Sequence, residues 1–489
     1  AGQAVVECDD MWADVPPVFL HNDVYNGGPS PVVGCGAGGG PGAISTDPRF
    51  VDPDAGDFRL AKGSPAIDAG DGSVPLLAAA DVSGSPRVVD GDGDGEARVD
   101  MGAYEAQIPV PERGAGFRPL TPSRILDTRD GTGGFGAAVG PGTTIAVPVL
   151  GRGGVPATGV SAVVLNVTAT QPTAVSYLTV FPSGTARPLA SNLNVVPGQT
   201  VPNLVTAKVG ADGKVALYND AGATHVVMDV VGWFGTPGSS GGTRLNPLPP
   251  GRVLDTRTGT GGFIAPVAGG SSISVPVTGV GGVPATGVSA VVLNATATQP
   301  TAVSFLTVFP SGAPRPLASN LNVLANQTVP NLVLAKVGPD GKVAVYNNAG
   351  TTHVVLDVVG WFGAEGVAAG DRYIPLPPAR ILDTRTGGAP VGPGATVPAA
   401  VTGVGGVPAS GVSAVVLNVT VTQPTAEGYL TVYPSGMARP VASNLNFLPG
   451  QTVPNLVVAK VGADGKVALY NNLGTSHVVL DVVGWYSTP

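Results

Sequence analysis

Hydrophobic and polar residues alternate over short stretches of this chain. Residues 161–170 show the pattern most clearly, because every second side chain from Val163 to Ala169 is apolar. The positions between them include Asn166, Thr168 and Thr170. A period of two is typical of a strand whose successive side chains point to opposite faces of a sheet. Residues 161–170 therefore predict a β-strand with one apolar face and one polar face.

A second pair of strands is predicted further along, around the sequence Asp212-Gly213. Residues 201–208 and 215–218 are rich in apolar β-formers, and Asp-Gly between two such runs is typical of a tight hairpin turn. Pro202 lies within the first run and has no N–H to donate to a sheet. That strand is therefore expected to begin at Pro202 or to lie at a sheet edge.

The same succession of strands occurs three times. The motif Arg-Ile/Val-Leu-Asp-Thr-Arg starts every 128 residues, at 124–129, 252–257 and 380–385. Each copy ends in Asp-Val-Val-Gly-Trp-aromatic, at 229–234, 357–362 and 481–486. So long a period suits one whole domain per copy. The predicted modules span residues 117–234, 244–362 and 373–487.

The strand count and the turns set the expected fold class, which is all-β. About eight strands without a helix predict a β-sandwich in each module, with a compact β-barrel as the alternative. The linkers, residues 236–243 and 363–371, are short, so the modules should lie close together with limited freedom. A tandem array of this kind suggests a rod.

Residues 1–106 lie outside the repeat and have a different pattern. Short apolar runs at 44–52, 57–60, 63–70 and 99–105 are separated by Gly, Asp and Pro turns, which favours short stacked strands. This succession resembles the C-terminal end of right-handed parallel β-helix proteins of the pectate-lyase-like superfamily. The resemblance implies the terminal coils and cap of a β-helix, without the long body in which that family carries catalytic residues.

The modules resemble a tandem domain of secreted actinobacterial proteins. The matching segments are the Arg-Ile-Leu-Asp-Thr-Arg motif, residues 164–168, 191–194 and 201–204, and the terminal Asp-Val-Val-Gly-Trp. The resemblance implies a secreted or cell-surface location and supplies no activity.

Charge and hydropathy exclude two classes of partner. The 489 residues carry a net charge of −8, and only 12% of them are charged. Nucleic acid is not expected as a ligand, because neutralising phosphates requires clustered Lys and Arg. Apolar runs are shorter than the roughly 20 residues of a spanning helix, so membrane insertion is not expected.

Catalytic groups can be written down for each module, but their spacing argues against an active site. His225 and Asp229 share a predicted strand, so their backbones should lie roughly 13 Å apart, too far for a triad with Ser191. Asp127 and Asp229 are the carboxylates available for glycoside hydrolysis. The favoured alternative pairs Asp127 with Arg124 or Arg129 as a structural lock. We therefore expect no enzyme.

Side-chain amides and aromatic rings are the candidates for glycan recognition. Amides recur in every module, and in the first they are Asn166, Gln171, Asn192, Asn194, Asn203 and Asn219. They can bind sugar hydroxyls or hold loop backbone. Tyr177, Tyr218 and Trp233 could form an aromatic platform or belong to the core.

The candidate metal site lies in the first segment. Asp90, Asp92 and Asp94 alternate with glycines, as in calcium-binding loops, and Asp100 would stand in for their bidentate glutamate. Calcium is thus the one candidate cofactor, and a solvated acidic turn is the alternative. Cys8 and Cys35 either form a disulfide, worth roughly 3 kcal/mol, or remain free thiols.

Together these features favour an extracellular, non-enzymatic structural or adhesive protein. Its modules would form a surface stalk or filament, through self-association or contact with other cell-surface proteins. The alternative is a carbohydrate-binding accessory region of a secreted enzyme that acts on polysaccharides or cell walls, with glycans as partners.

Overall fold

A computed structural model describes most of the chain. The described residues are 6–7, 32–33, 44, 46–61, 63–73, 77–89, 91, 97–106, 115–236, 241–364 and 370–487. The chain divides into two compact units, Ala1–Arg113 and Gly114–Pro489. Strands dominate the second unit, and the described part of the first has four short ones. The helical elements of the described residues are one 3₁₀ turn, Pro53–Ala55, and one helical turn, α1 (Thr384–Gly387). Within these ranges, no helix has the length and apolarity to cross a bilayer.

Most of the described strand pairs of the first unit are antiparallel, unlike those of a β-helix. Strands β1 (Val6–Glu7) and β2 (Val32–Val33) form a two-residue parallel pair. Strands β3 (Phe50–Asp52) and β4 (Asp57–Leu60) are antiparallel, because the turn between them reverses the chain with Gly56 at φ 80°. The two isolated bridges described between residues 80 and 98 are antiparallel as well. The prediction of β-helix coils was wrong, since such coils stack parallel strands from successive turns.

The first module contains eight strands, and the other two follow the same order. In the first module they are β5 (Phe117–Asp127), β6 (Thr143–Pro148), β7 (Val160–Thr170), β8 (Ser176–Pro182), β9 (Leu193–Val195), β10 (Thr200–Lys208), β11 (Lys214–Asn219) and β12 (His225–Gly235).

The second module adds one two-residue strand to this set. Its strands are β13 (Leu245–Asp255), β14 (Val267–Ala268), β15 (Ser271–Pro276), β16 (Val288–Thr298), β17 (Ser304–Pro310), β18 (Leu321–Val323), β19 (Val329–Lys336), β20 (Lys342–Asn347) and β21 (Thr351–Gly363). The third module has β22 (Arg372–Asp383), β23 (Thr396–Ala400), β24 (Val412–Thr422), β25 (Gly428–Pro434), β26 (Leu445–Phe447), β27 (Val453–Lys460), β28 (Lys466–Asn471) and β29 (His477–Ser487).

Each module is built from two antiparallel sheets around one apolar core. In the first module the inner sheet has the order β10-β7-β12-β5 and the outer sheet β6-β11-β8-β9. The same orders recur in the other modules, with β14 added beside β21. Residues of both sheets form one buried cluster per module. The all-β prediction is confirmed, and the small sheets form a propeller-like ring.

Two strand predictions had different outcomes. Pro202 lies on β10, which forms the edge of its sheet, so its missing N–H breaks no ladder. The prediction that β10 and β11 pair as a hairpin was wrong. The turn is present, with the amide of Gly210 donating to the carbonyl of Lys214 at 2.9 Å. However, β10 pairs with β7 and β11 pairs with β6 and β8, because the chain crosses from the inner to the outer sheet there.

The second face of each inner sheet is buried as well, against the other modules. Val164 and Leu204 of the first module belong to a buried cluster with residues of all three modules. Aromatic rings meet across the junctions in this central core. The ring centroids of Phe117 and Phe362 lie 4.5 Å apart, and those of Phe234 and Tyr373 lie 4.2 Å apart. The three modules therefore share one hydrophobic core besides their own.

The segments that precede the modules close the ring. Thr243 pairs with Phe117, Asp371 pairs with Leu245, and Ala115 pairs with Tyr373. Each segment before one module thus bonds to the first strand of another, and the last of these pairs joins the start of the repeat region to its third module. A rod of modules placed end to end is not the arrangement of this chain, because these bonds and the central core hold the modules in a closed ring.

Candidate functional site: the grooves between modules

The Arg-Ile-Leu-Asp-Thr-Arg motif forms an ion-pair network at the end of the first strand of each module. Arg129 donates to both carboxylate oxygens of Asp127, at 2.8 and 2.6 Å. Arg124 lies between the two aspartates, 3.1 Å from Asp127 and 3.0 Å from Asp229. Asp127 was predicted to pair with Arg124 or Arg129, and it pairs with both. Each carboxylate of the only candidate hydrolytic pair is therefore already held by a guanidinium.

Burial and hydrogen bonding move the pKa values of these two aspartates in opposite directions. The hydrogen bonds from Arg129 lower the pKa of Asp127, while burial raises the pKa of Asp229 against the opposing effect of Arg124. The second and third modules repeat both directions, and the pKa of Asp383 falls to about 2.

The first arginine of the motif also clamps a loop of another module. Nη2 of Arg124 donates to the backbone carbonyl of Leu317 at 2.6 Å. The equivalent bonds run from Arg252 to Val441 and from Arg380 to Leu189. These contacts join module one to two, two to three and three to one. The recurring motif is therefore the element that builds the junctions.

An asparagine supports the clamped loop at each junction. Nδ2 of Asn166, Asn294 and Asn418 donates to the carbonyl of Ser319, Ser443 and Ser191, respectively, at 2.6 Å in each case. Oδ1 of the same three side chains is buried and accepts no hydrogen bond from a described residue. Three equivalent buried acceptors thus remain beside the loops.

The histidine of each module bonds to a threonine. Nδ1 of His225 lies 2.9 Å from Oγ1 of Thr128, which also accepts a hydrogen bond from the amide of Val226. His353 and His477 have the same partners in their modules, Thr256 and Thr384. Thr128 is fully buried, so its hydroxyl cannot meet a substrate. The arrangement fixes the ends of two strands.

A groove of about 260 Å³ lies between the first and third modules. The first module supplies its 187–191 loop, whose Leu189 and Ser191 carbonyls are the clamped acceptors, and the third supplies strand ends beside Arg380. Its lining residues are Tyr177, Arg187, Pro188, Leu189, Ala190, Ser191, Asn194, Arg380, Arg385, Thr420, Thr422, Thr452 and Val479. The groove therefore exists only because the ring is closed.

One wall of this groove contains Tyr177, whose ring belongs to an aromatic stack with Tyr218 behind it, outside the lining residues. The rings of Tyr177 and Tyr218 lie 6.0 Å apart, and the guanidinium of Arg187 lies 4.0 Å above Tyr218. Nη1 of Arg187 also donates to Oη of Tyr177 at 3.0 Å. The other modules repeat the stack with Phe305, Tyr346 and Arg315, and with Tyr429, Tyr470 and Arg439. Two of the three aromatic candidates thus meet, whereas Trp233 packs against its own module's core under Arg118.

The opposite wall supplies hydroxyls and an arginine. Oγ1 of Thr422 and Oγ1 of Thr452 lie 2.8 Å apart, and Thr170–Thr200 and Thr298–Thr328 repeat the pair. Arg385 binds Asp383 through Nε and Nη2, and its side chain is 43% exposed. Its Nη1 makes no hydrogen bond to a described residue. Both walls therefore present donors to the groove.

Most of the candidate amides hold backbone. Oδ1 of Asn192 accepts from the amide of Val180, and Nδ2 of Asn203 and Asn219 donate to carbonyls of their own module. Asn194 is the one that lines the groove. Arg187 and the threonine pair were not among the candidates predicted from the sequence. The recurrence of Arg-Pro at the equivalent position of each copy was the available signal.

The predicted metal site falls largely outside the described residues. Asp90, Asp92 and Asp94 are not among them, and neither are Cys8 and Cys35. Asp100 is buried and accepts hydrogen bonds from the amides of Asp68 and Ala106. The described residues contain no group of three potential metal ligands, and calcium stays a prediction.

No protein-family model and no curated protein matches this chain. Among solved structures, one described as "The Triple Jelly Roll Fold and Turret Assembly in an Archaeal Virus" is 10% identical, over 77% of this chain and 90% of that one, with a TM-score of 0.17. A structure of Sulfolobus Turreted Icosahedral Virus is 10% identical over 72% and 86%, with a TM-score of 0.16. Likeness this weak carries no argument about function. Neither the β-helix resemblance nor the actinobacterial one is supported, and the assignment to those families was wrong.

Proposed function

We propose that this protein binds polysaccharides, without catalysis, in three equivalent grooves between its modules. The observation that carries the proposal is the stack of an aromatic ring, a tyrosine and an arginine that recurs in every module. In the groove between modules one and three, Tyr177 and Arg187 of this stack line one wall, and the other module supplies a threonine pair.

The chemistry of the walls suits a sugar polymer. An aromatic face packs against the apolar face of a sugar ring, while hydroxyls and amides exchange hydrogen bonds with its hydroxyl groups. Arg187 and Arg385 add cationic donors, which bind carboxylates more strongly than neutral acceptors. Arg385 is already paired with Asp383, so the cationic character of the groove rests mainly on Arg187. The expected ligand is therefore a polysaccharide that contains acidic sugars.

The proposed binding explains why the module is repeated in a closed ring. One such groove is described, between modules one and three, and the same junction contacts recur at the other two junctions. With a groove at each junction, the ring holds three segments of one polymer, and the second and third contacts are then effectively intramolecular. Avidity of this kind exceeds the affinity of one groove by orders of magnitude. Polysaccharides of this class lie outside cells, so the proposal implies a secreted or cell-surface protein.

Retention on immobilised polysaccharides tests the proposal. Alginate, a polyuronate, and dextran, a neutral glucan, provide the acidic and neutral probes. We expect the protein to bind alginate more tightly than dextran. Replacement by Ala of Tyr177, which lines the groove, and of its equivalents Phe305 and Tyr429 should weaken binding at least tenfold. Phe58→Ala removes an exposed ring of the first unit and serves as the control. Absence of wild-type binding to both polymers would refute the proposal.

A structural role through self-association is the second candidate. Leu189, Leu317 and Val441 occupy equivalent loop positions and are 84%, 81% and 83% exposed. A single exposed aliphatic side chain needs no explanation, but its recurrence at three equivalent positions of the ring suits contact with another copy. A filament would then consist of associated rings. Sedimentation velocity of the wild type and of a variant with Ser at all three positions tests self-association. A wild type that stays monomeric at high micromolar concentration counts against it.

A further inference from the structure

Three glutamines have a backbone conformation that their side chains disfavour. Gln171, Gln299 and Gln423 lie at equivalent positions of the three modules, with φ of 52°, 51° and 52°. This left-handed region brings Cβ close to a carbonyl oxygen, and residues other than glycine seldom adopt it. Each glutamine also precedes a proline, which narrows its backbone freedom further.

Glycine occupies nearly every other left-handed position of the modules. Among the described residues from 115 onward, Asn326 is the only other non-glycine with positive φ. Its equivalents in the other modules are Gly198 and Gly450, which share the conformation. That position therefore uses the two residue types that best tolerate a left-handed backbone. The glutamine position uses neither in any copy.

Internal contacts do not account for the three glutamines. All three are exposed. None of their side chains makes a hydrogen bond to a described residue, unlike Gln199, whose Oε1 accepts from the amide of Val196. A strained residue that stabilises nothing around it is typical of a contact with something outside the chain.

The position of the glutamines relates them to the grooves. Gln423 directly follows Thr422, a groove residue whose hydroxyl pairs with that of Thr452. Gln171 and Gln299 follow Thr170 and Thr298, which form the same pairs in the other modules. Each glutamine is thus covalently next to the hydroxyl wall at one junction.

We propose that Gln171, Gln299 and Gln423 contact the ligand at the rims of the three grooves. A primary amide carries two donors and one acceptor, so it can bond to two neighbouring hydroxyls of a sugar ring. This inference rests on the proposed function. It assigns recognition of the sugar hydroxyls to the glutamines, while the arginines bind the acidic groups.

Replacement of all three glutamines by Gly separates a binding role from a structural one. Gly relieves the backbone strain, so the variant should melt at or above the wild-type temperature. Its affinity for immobilised alginate should nevertheless fall about tenfold or more. Replacement by Asn, which keeps the amide and tolerates the conformation, should retain part of the affinity.

Asn326→Gly is the matched control, because it relieves the same strain and gives the second module the residue found in the other two. It should leave alginate binding unchanged. If the triple Gly variant keeps wild-type affinity while the variants of the stacked aromatic residues lose affinity, the glutamine role is overturned and the proposed function stands. A lowered melting temperature in the Gly variant would show a structural role instead. Failure of the wild type to bind alginate and dextran would overturn both.

Discussion

Nη2 of Arg380 donates a hydrogen bond to the backbone carbonyl of Leu189, and this bond joins the third module to the first. The same guanidinium binds Asp481 through two further hydrogen bonds, with Nε to Oδ1 at 2.8 Å. One side chain thus neutralises a buried carboxylate of its own module and closes the ring. The junction and the fold of the module therefore depend on the same residue.

Loss of this arginine should be costly. Arg380→Met leaves Asp481 buried without its partner, and we expect a loss of about 3 kcal/mol in unfolding free energy. Adding Asp481→Asn removes the unpaired buried charge and should recover part of the lost unfolding free energy. Urea unfolding of both single variants and the double variant measures the coupling. Arg385→Ala, which breaks a more exposed pair, should cost at most about 1 kcal/mol. Equal losses for Arg380 and Arg385 would contradict the clamp.

The glycine of the terminal Asp-Val-Val-Gly-Trp motif is required by an aromatic ring. A Cβ added at Gly232 would overlap the ring of Phe117, and one at Gly484 would overlap Tyr373. At Gly360 the nearest atom is Cδ1 of Leu245, at 3.1 Å. Replacement by Ala should therefore cost about 1 to 3 kcal/mol at the first two positions and less at Gly360.

Thermal unfolding compares these three alanine variants directly. Because the second module has Leu where the first has Phe117, adding Phe117→Leu should restore part of the stability lost in Gly232→Ala. Equal destabilisation at all three glycines would show that ring overlap is not the cause.

Asp371 should make stability depend on pH. Burial raises its pKa to about 6, while Ser413 and the charges of Lys460 and Arg244 oppose the shift only in part. A carboxyl group with a raised folded-state pKa contributes stability that is fully present below about pH 4 and is lost as pH rises through about 6. Asp371→Asn should therefore stabilise the protein by about 1 to 3 kcal/mol at pH 7.5 and by almost nothing at pH 3.5.

Urea unfolding at the two pH values provides the test. Thr243 occupies the equivalent position before the second module, so Asp371→Thr should show the same gain. A variant that is less stable than the wild type at pH 7.5 would contradict a buried, uncompensated carboxylate.

The modules should unfold together. Leu204, Leu332 and Leu456 belong to one central core, so unfolding one module exposes apolar surface of the other two. Leu332→Ala should cost about 2 to 5 kcal/mol and lower the single transition of the whole ring. Differential scanning calorimetry measures this transition. We expect equal calorimetric and van't Hoff enthalpies for residues 115–487, as for a single cooperative unit. Three separate transitions would contradict the shared core.

The local sequence pattern predicted the positions of strands well, but it predicted poorly which strands pair with each other. The alternation at residues 161–170 located β7, and Pro202 located an edge strand. The Asp212-Gly213 turn is present too, yet the strands on either side of it enter different sheets. A turn sequence specifies how the chain reverses locally, but the faces that must be buried decide which strands pair.

The candidate site could be predicted only in part. Tyr177 and Tyr218 were recognised from the sequence as rings that could form a platform for a sugar or belong to the core. Their partners Arg187, Thr422 and Thr452 were not, since the threonines lie more than 200 residues away and reach the groove only through ring closure. The glutamines were noted as amides, but their strain is visible only in backbone angles.

The sequence by itself determined an all-β chain with three copies of one module and an arginine–aspartate lock in each. These features follow from period, turn chemistry and charge pairing, all of which act over a few residues. Only the tertiary structure decided that the modules form a ring. The polar face of β7, with Asn166 on it, looks solvent-exposed in a single module and is buried against the next. That burial depends on a neighbour's position, which no local pattern encodes.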